Sequence, residues 1–326
     1  MSPLAEGPGR SCPVSHRYGP QALAAPATLK VDSLWVAGGL YGNPFALQAL
    51  VESYGRERGT KALVFNGDFH WFDADPRDFK LVNDTVLSFD ATRGNVETEL
   101  AEPSNGAGCG CGYPEWVDQG TVERSNRIID RLRLAAESVP NALPQLASLP
   151  MYLLVDVAGV RVAIVHGDAE SLAGWRFSQE ALATPAGCDV ARRDFDLAKV
   201  DVFASSHTCL PVLQAFGGRR VLVNNGAAGM PNFKGTTFGL VTRVACSPSN
   251  AALHAIPIGD IFVEAIPLHY VAAAWQRHFV AHWPEGSDAY ASYYLRIVNG
   301  PHYSPDAALR LPTQARDYFT SSSSVS

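Results

Sequence analysis

Residues 61–68 read Lys-Ala-Leu-Val-Phe-Asn-Gly-Asp (KALVFNGD). A short apolar run closed by a glycine is the pattern of a buried strand, here Lys61 to Asn66, stopped at Gly67-Asp68. A lone aspartate past a strand is ordinarily a turn or a helix cap. The segments on either side give it a context. Ser33 to Ala37 (SLWVA) is another short apolar strand, running into Gly38-Gly39-Leu40-Tyr41-Gly42-Asn43. Pro44 to Tyr54 then has apolar residues at helical spacing, with proline in the first turn. Asp75 to Asn83 is expected to be helical, and Thr85 to Phe89 to be a strand leading to Arg93-Gly94-Asn95. This strand–loop–helix–strand rhythm predicts an α/β architecture.

Further along, Glu102 to Asp118 is rich in Gly, Pro and Asn and is expected to be irregular. Val122 to Glu137 follows as an amphipathic helix. Tyr152–Asp156 and Arg161–Val165 flank Ala158-Gly159-Val160 as a hairpin ending on His166-Gly167-Asp168. Val200 to Ala204 is a strand ending on Ser206-His207-Thr208-Cys209. Val212–Phe216 and Arg220–Val223 suggest a further hairpin, and Leu240 to Val244 a last strand. Ala265 to His282 reads as helical, with Trp275, His278 and His282 among apolar residues. The expected organisation is a disordered tail over 1–32, an ordered domain over 33–245, a helical addition over 246–320 and a serine-rich tail over 321–326. The addition's aromatics (Trp275, Trp283, Tyr290, Tyr293, Tyr294) are expected in a core or dimer face, with a lid over a site as the alternative.

Composition narrows the function classes. The 326 residues are 47% hydrophobic and only 18% charged, which excludes disorder over the whole chain. Lys and Arg number 26 against 32 Asp and Glu, a formal charge of −6 with no basic block, so a nucleic-acid scaffold role is not expected. No apolar stretch is long enough for a membrane span, and the first twenty residues lack the hydrophobic region of a secretory signal. Six cysteines in this length are too sparse for a disulfide framework, so a reducing, cytoplasmic setting is expected.

One pattern recurs: Asp68, Asn95, His166 and His207 each sit at or just after the end of an apolar strand. Donors at the ends of adjacent strands can converge on one edge of a sheet, where α/β proteins place their sites. Asp, Asn and His together suit a divalent ion such as Mn, Fe or Zn.

These blocks resemble the metallophosphoesterases, or calcineurin-like phosphoesterases. That family carries, in order, Asp-x-His, Gly-Asp, Gly-Asn-His-Asp/Glu, a strand-end His and Gly-His-x-His. This chain has, in the same order, Gly39-Leu40-Tyr41, Gly67-Asp68, Gly94-Asn95-Val96-Glu97, His166-Gly167-Asp168 and Ser206-His207-Thr208-Cys209. The resemblance spans about Ser33 to Val244. It implies a four-layer sandwich of two mixed β-sheets flanked by helices, and hydrolysis of a small phosphorylated substrate. It further implies that Asp68, Asn95, His166 and His207 hold one metal ion.

The family's other ion is held by residues that correspond here to Gly39, Tyr41, Asp68 and Cys209, and its leaving-group acid corresponds to Val96. The resemblance therefore implies an altered, single-metal centre, or else a catalytically inactive binding or regulatory protein. Three compensations are open at the depleted position: His70 two residues past Asp68, Cys209 as a soft ligand, and thiolates from Cys109 and Cys111; the alternatives are a loop histidine packed on aromatics, a small buried apolar residue and a flexible glycine-rich loop. His70 and Glu97 are the expected catalytic groups. A dinucleotide-binding oxidoreductase is disfavoured, because Gly38–Gly42 lacks the Gly-x-Gly-x-x-Gly spacing. Neither a Gly-x-Ser-x-Gly elbow nor a Gly-Lys-Ser/Thr phosphate loop is present.

Overall fold

A computed structural model describes residues 7–311. The expected serine-rich tail at 321–326 lies outside the described residues. The chain enters a first sheet at β1 (Leu29–Val31) and crosses to a second at β2 (Ser33–Ala37). Helix α1 (Pro44–Gly55) starts where Asn43 Oδ1 accepts the amides of Phe45 and Ala46 at 3.1 and 3.0 Å and Pro44 has no N–H that needs an acceptor. β3 (Lys61–Asn66) follows, then α2 (Pro76–Val86), capped by Asp75, and β4 (Asp90–Thr92). The strand expected over Thr85–Phe89 is therefore displaced. The Asp75 cap and the buried stripe of Phe79, Val82 and Val86 carry the helix through its first half.

Helix α3 (Asn95–Ala101) leads into the irregular insert, then α4 (Gln119–Glu137) and α5 (Ala142–Ala147). The hairpin β5 (Tyr152–Val157) and β6 (Val160–Val165) precedes a short α6 (Gln179–Leu182) and α7 (Pro185–Ala198). Strands β7 (Val202–Ser205), β8 (Val212–Ala215), β9 (Val221–Asn224) and β10 (Gly239–Ala245) come next. The described part closes with β11 (His254–Ile258), β12 (Ile261–Leu268), α8 (Ala272–His282), α9 (Asp288–Asn299), α10 (Pro305–Ala308) and β13 (Leu309–Arg310).

Seven strands form one sheet in the order β1-β5-β6-β7-β9-β8-β13, and six form the other in the order β11-β12-β10-β2-β3-β4. Both mix parallel and antiparallel pairs: β2, β3 and β4 run parallel, as do β6 and β7, whereas β10 is antiparallel to β2 and to β12. The period of two sorts the side chains. Leu34, Val36, Ala62 and Val64 meet Val162, Ile164, Val202 and Val223 between the sheets. Their neighbours Trp35, Ala37, Leu63 and Phe65 face helices α1, α2, α4 and α8. Ala163, Val165 and Phe203 face Phe195 and Ala198 of α7. Each fully buried Val or Leu contributes about 1.5–3 kcal/mol. The four-layer α/β sandwich is thus as expected.

Two expected boundaries are corrected. Residues 7–32 are not a loose tail within the described part. Leu29–Val31 pairs parallel with Val155–Val157, Leu23 is buried with Phe177 and Phe195, and buried His16 sits 3.0 Å from Glu99 Oε1. The segment has no local periodicity, so only its tertiary contacts order it. The region after Val244 is not purely helical either. Ile261–Leu268 is a strand between β10 and β11, buried along most of its length. Apolar residues on both faces of a strand mimic a buried helix in sequence. Trp275 and Trp283 of the addition are core residues. Among the described residues no helix is long and apolar enough to cross a membrane.

Candidate metal centre

The C-terminal ends of β3, β4, β6 and β7 come together, and the loops that leave them are pressed tightly against one another. Asn66 ties three of these ends. Its amide nitrogen donates to the Val165 carbonyl at 2.8 Å, and its Oδ1 accepts from the Thr92 hydroxyl at 3.1 Å. Two glycines are required here. A Cβ on Gly67, which has φ of 68°, would lie 2.6 Å from His166 Nδ1, and a Cβ on Gly94 would collide with Asp68 Oδ1. Sequence reading singled out both glycines and missed Asn66, which carries no motif of its own.

Glu97 holds the Asp68 loop. Its Oε2 accepts the amides of Asp68 and Gly94, each at 2.8 Å, and its Oε1 those of Phe69 and His70 at 3.0 and 3.3 Å. This clamp fixes Asp68 in the left-handed region, at φ of 50°. Tyr41, His207 and Cys209 also have positive φ, so four of the seven such non-glycine residues described surround this one place. Backbone strain of this kind collects at functional sites.

Three electron-pair donors then face one another. His166 Nδ1 lies 2.8 Å from the Asn66 carbonyl oxygen, an acceptor, so Nδ1 carries a proton. Its Nε2 is 3.2 Å from Asp68 Oδ1 and 3.2 Å from Asn95 Oδ1. The Asn95 amide is oriented by its nitrogen, which donates to the Cys109 carbonyl at 3.0 Å. A carboxylate, an amide oxygen and a ring nitrogen converging in a buried place require a cation between them, either a second proton on His166 or a metal ion. Burial lowers the His166 pKa, but the charge and hydrogen bond of Asp68 outweigh it and raise it overall. Asp68 is held below the usual carboxylate range against its own burial, chiefly by His166.

His207 completes the set. Its Nε2 is 3.0 Å from the Cys111 carbonyl, and its buried Nδ1 has no hydrogen-bond partner. Burial, with His166 beside it, pushes its pKa down to about 3, so it is a neutral donor at physiological pH. Donor atoms of Asp68, His166 and His207 all lie within 4.8 Å of one another. The Asp68 carboxylate, the Asn95 amide oxygen, the His166 ring and the unpartnered buried Nδ1 of His207 match the chemistry of a divalent-ion site.

The neighbouring position is different. Tyr41 Oη and Cys209 Sγ are 2.8 Å apart. Burial raises the pKa of both, so neither phenolate nor thiolate forms at neutral pH. A Cβ on Gly39 would fall 2.8 Å from the Tyr41 ring, so the tyrosine fills the room an acid at residue 39 would need. Cys209 is thus engaged with Tyr41 rather than gathered with the other donors. Arg296 of α9 donates to the Cys209 carbonyl at 2.6 Å and lines the same cleft. The cleft, about 180 Å³, is walled by Tyr113, Trp175 and Tyr293, with Val96 also at its lining.

Three expected roles are corrected. His70 is wholly buried, with Nδ1 2.5 Å from Asp73 Oδ2 and its ring stacked on Phe79 at 3.7 Å, so it does not reach the cleft. Two residues beyond Asp68 the chain turns rather than staying extended. Glu97 spends its carboxylate on backbone amides and is a positioning residue. Cys109 and Cys111 are disulfide-linked, which removes both as thiolate ligands. Arg296 and Trp175 went unread, because a lone Arg or Trp in an aromatic stretch gives no local signal.

Solved structures similar to this chain include a metallophosphoesterase from Sphaerobacter thermophilus, at a TM-score of 0.52 and 17% identity, covering 82% of this chain and 100% of that one. A hypothetical protein from Pyrococcus horikoshii OT3 is similar at a TM-score of 0.56 and 13% identity, covering 84% of this chain and 100% of that one. No protein-family model matches the sequence, and no curated protein matches it. By fold, the chain is a metallophosphoesterase-type sandwich of two mixed sheets, as its ordered sequence blocks imply.

Proposed function

We propose that this chain is a metal-dependent phosphoesterase that acts on a small phosphorylated substrate through a single-metal centre. The observation that carries the proposal is the convergence of Asp68 Oδ1, Asn95 Oδ1 and His166 Nε2, with His207 beside them, at the ends of four strands. Asp68, Asn95, His166 and His207 would hold the ion. A bound Mn, Fe or Zn would supply Lewis-acid charge at a phosphoryl oxygen and lower the pKa of a coordinated water.

The chain's own groups set the rest. The neutral Tyr41–Cys209 pair argues for one ion rather than two. Arg296 beside it supplies a fixed positive charge and N–H donors for phosphate oxygens. Tyr113, Trp175 and Tyr293 narrow the cleft and restrict water. Hydrolysis breaks the phosphorus–ester oxygen bond, and the departing oxygen needs a proton that Val96 cannot give. Esters with acidic leaving groups are therefore expected to turn over fastest. The substitution at Val96 also favours a second reading, a binding or regulatory protein that keeps the metal site without turnover.

Elemental analysis of the purified protein and its His166→Ala variant, paired with a panel of phosphomonoesters and phosphodiesters, separates these. The proposal expects metal in the parent, its loss in the variant, and turnover that Asp68→Asn abolishes. Metal without turnover would favour the binding protein, and equal metal content in both proteins would sink the site itself.

A further inference from the structure

A second group of donors lies outside the cleft and shares no residue with it. Asp78 stands in the first turn of α2, and His278 and His282 stand one turn apart on α8. Residues four apart on a helix project from the same face. Here both imidazoles present Nε2 to the same carboxylate oxygen, Asp78 Oδ2, at 3.0 and 3.1 Å. The three donor atoms lie within 4.8 Å of one another.

We propose that Asp78, His278 and His282 form a zinc site that fastens the C-terminal helix α8 to α2. Zinc bonds to imidazole nitrogen and carboxylate oxygen at about 2.0–2.2 Å in a tetrahedron, which sets neighbouring ligand atoms roughly 3.3 Å apart. The observed nitrogen–oxygen separations need to open by only a few tenths of an ångström. The side chains are about one quarter exposed, at 24% for His278, 26% for His282 and 21% for Asp78, so solvent can supply a fourth ligand.

The surroundings give such a site a structural purpose. Beside them on α8 the helix buries Trp275 and Phe279, with the Trp275 ring 5.9 Å from that of His278. Just past its end, Trp283 Nε1 donates to the Phe72 carbonyl at 2.8 Å, within the segment that joins Asp68 to α2. A metal between α8 and α2 would brace the α2 end of that segment.

The test uses the full chain with Zn(II) alone, in the Asp68→Asn/His166→Ala background, so that the outcome does not depend on the cleft. Equilibrium dialysis is expected to leave one zinc per chain there, and none once His278→Gln and His282→Gln are added. Zinc is expected to raise the melting temperature only while the two histidines are present, and Co(II) to give the visible absorption of a tetrahedral His-ligated site. Should the paired histidine change impair folding, Asp78→Asn serves in its place and is expected to weaken zinc binding at least tenfold. No zinc in the background protein, or the same zinc content after the histidine changes, would overturn the proposal.

Discussion

Replacing Glu97 with Gln isolates the clamp that shapes the Asp68 loop. The carboxylate accepts four backbone amides, two on each oxygen. A glutamine of the same shape offers one oxygen and one NH2 group. Whichever way the amide is turned, its NH2 faces two N–H donors, and two of the four hydrogen bonds are lost. Each buried backbone N–H left without an acceptor costs about 1–3 kcal/mol. Against this, glutamine removes a buried charge. The Glu97 pKa is raised by burial and by Asp68, so the ionised clamp carries a cost of its own. The balance predicts a loss of about 2–4 kcal/mol. Urea unfolding is expected to show it as a lower midpoint with an unchanged slope. Because the clamp orients a ligand rather than binding metal, metal affinity is expected to fall by about 10–100-fold without being abolished. A variant within about 0.5 kcal/mol of the parent, with unchanged metal affinity, would refute the clamp.

Arg243→Ala is expected to cost about 3–5 kcal/mol in denaturant unfolding, because buried Glu264 loses its partner at 2.6 Å; a loss under about 1 kcal/mol would contradict this. Asp194 has its pKa raised from the ordinary 3.8 to about 6, first by burial and then by Asp168 and Glu170 against the pull of Arg176. The native state therefore holds this proton more tightly than the unfolded chain. That stabilisation is complete below pH ~4 and is lost as pH rises through about 6. Asp194→Asn cannot titrate, so its stability relative to the parent should improve from pH 4 to pH 7; urea midpoints giving a flat difference would show that the group is not shifted.

The recurring pattern of an apolar strand followed by Gly-Asp, Gly-Asn or His was legible because strand burial and its interruption are local properties. Each shows in five to eight residues, and their order along the chain implied the fold. The same locality explains what went astray. Ile261–Leu268 is buried on most of its length, so its alternation vanished and it passed for helix. Residues 7–31 have no period at all and are ordered by β5 and by buried neighbours such as Glu99 and Phe177.

By itself the sequence determined which donor types end which strands, and that Gly39, Tyr41, Val96 and Cys209 stand where the family it resembles would place ligands and an acid. Only the tertiary structure decided how they act. It turned Glu97 and His70 inward as supports and joined Tyr41 to Cys209 in a neutral pair. It brought Asn66 and Arg296 into play from stretches without a motif. It also set Asp78 against His278 and His282, about 200 residues apart in the sequence. The physical reason is common to all of these. A residue's type is fixed by the chain, but the partner its lone pair or proton meets is fixed by how two sheets and their helices pack.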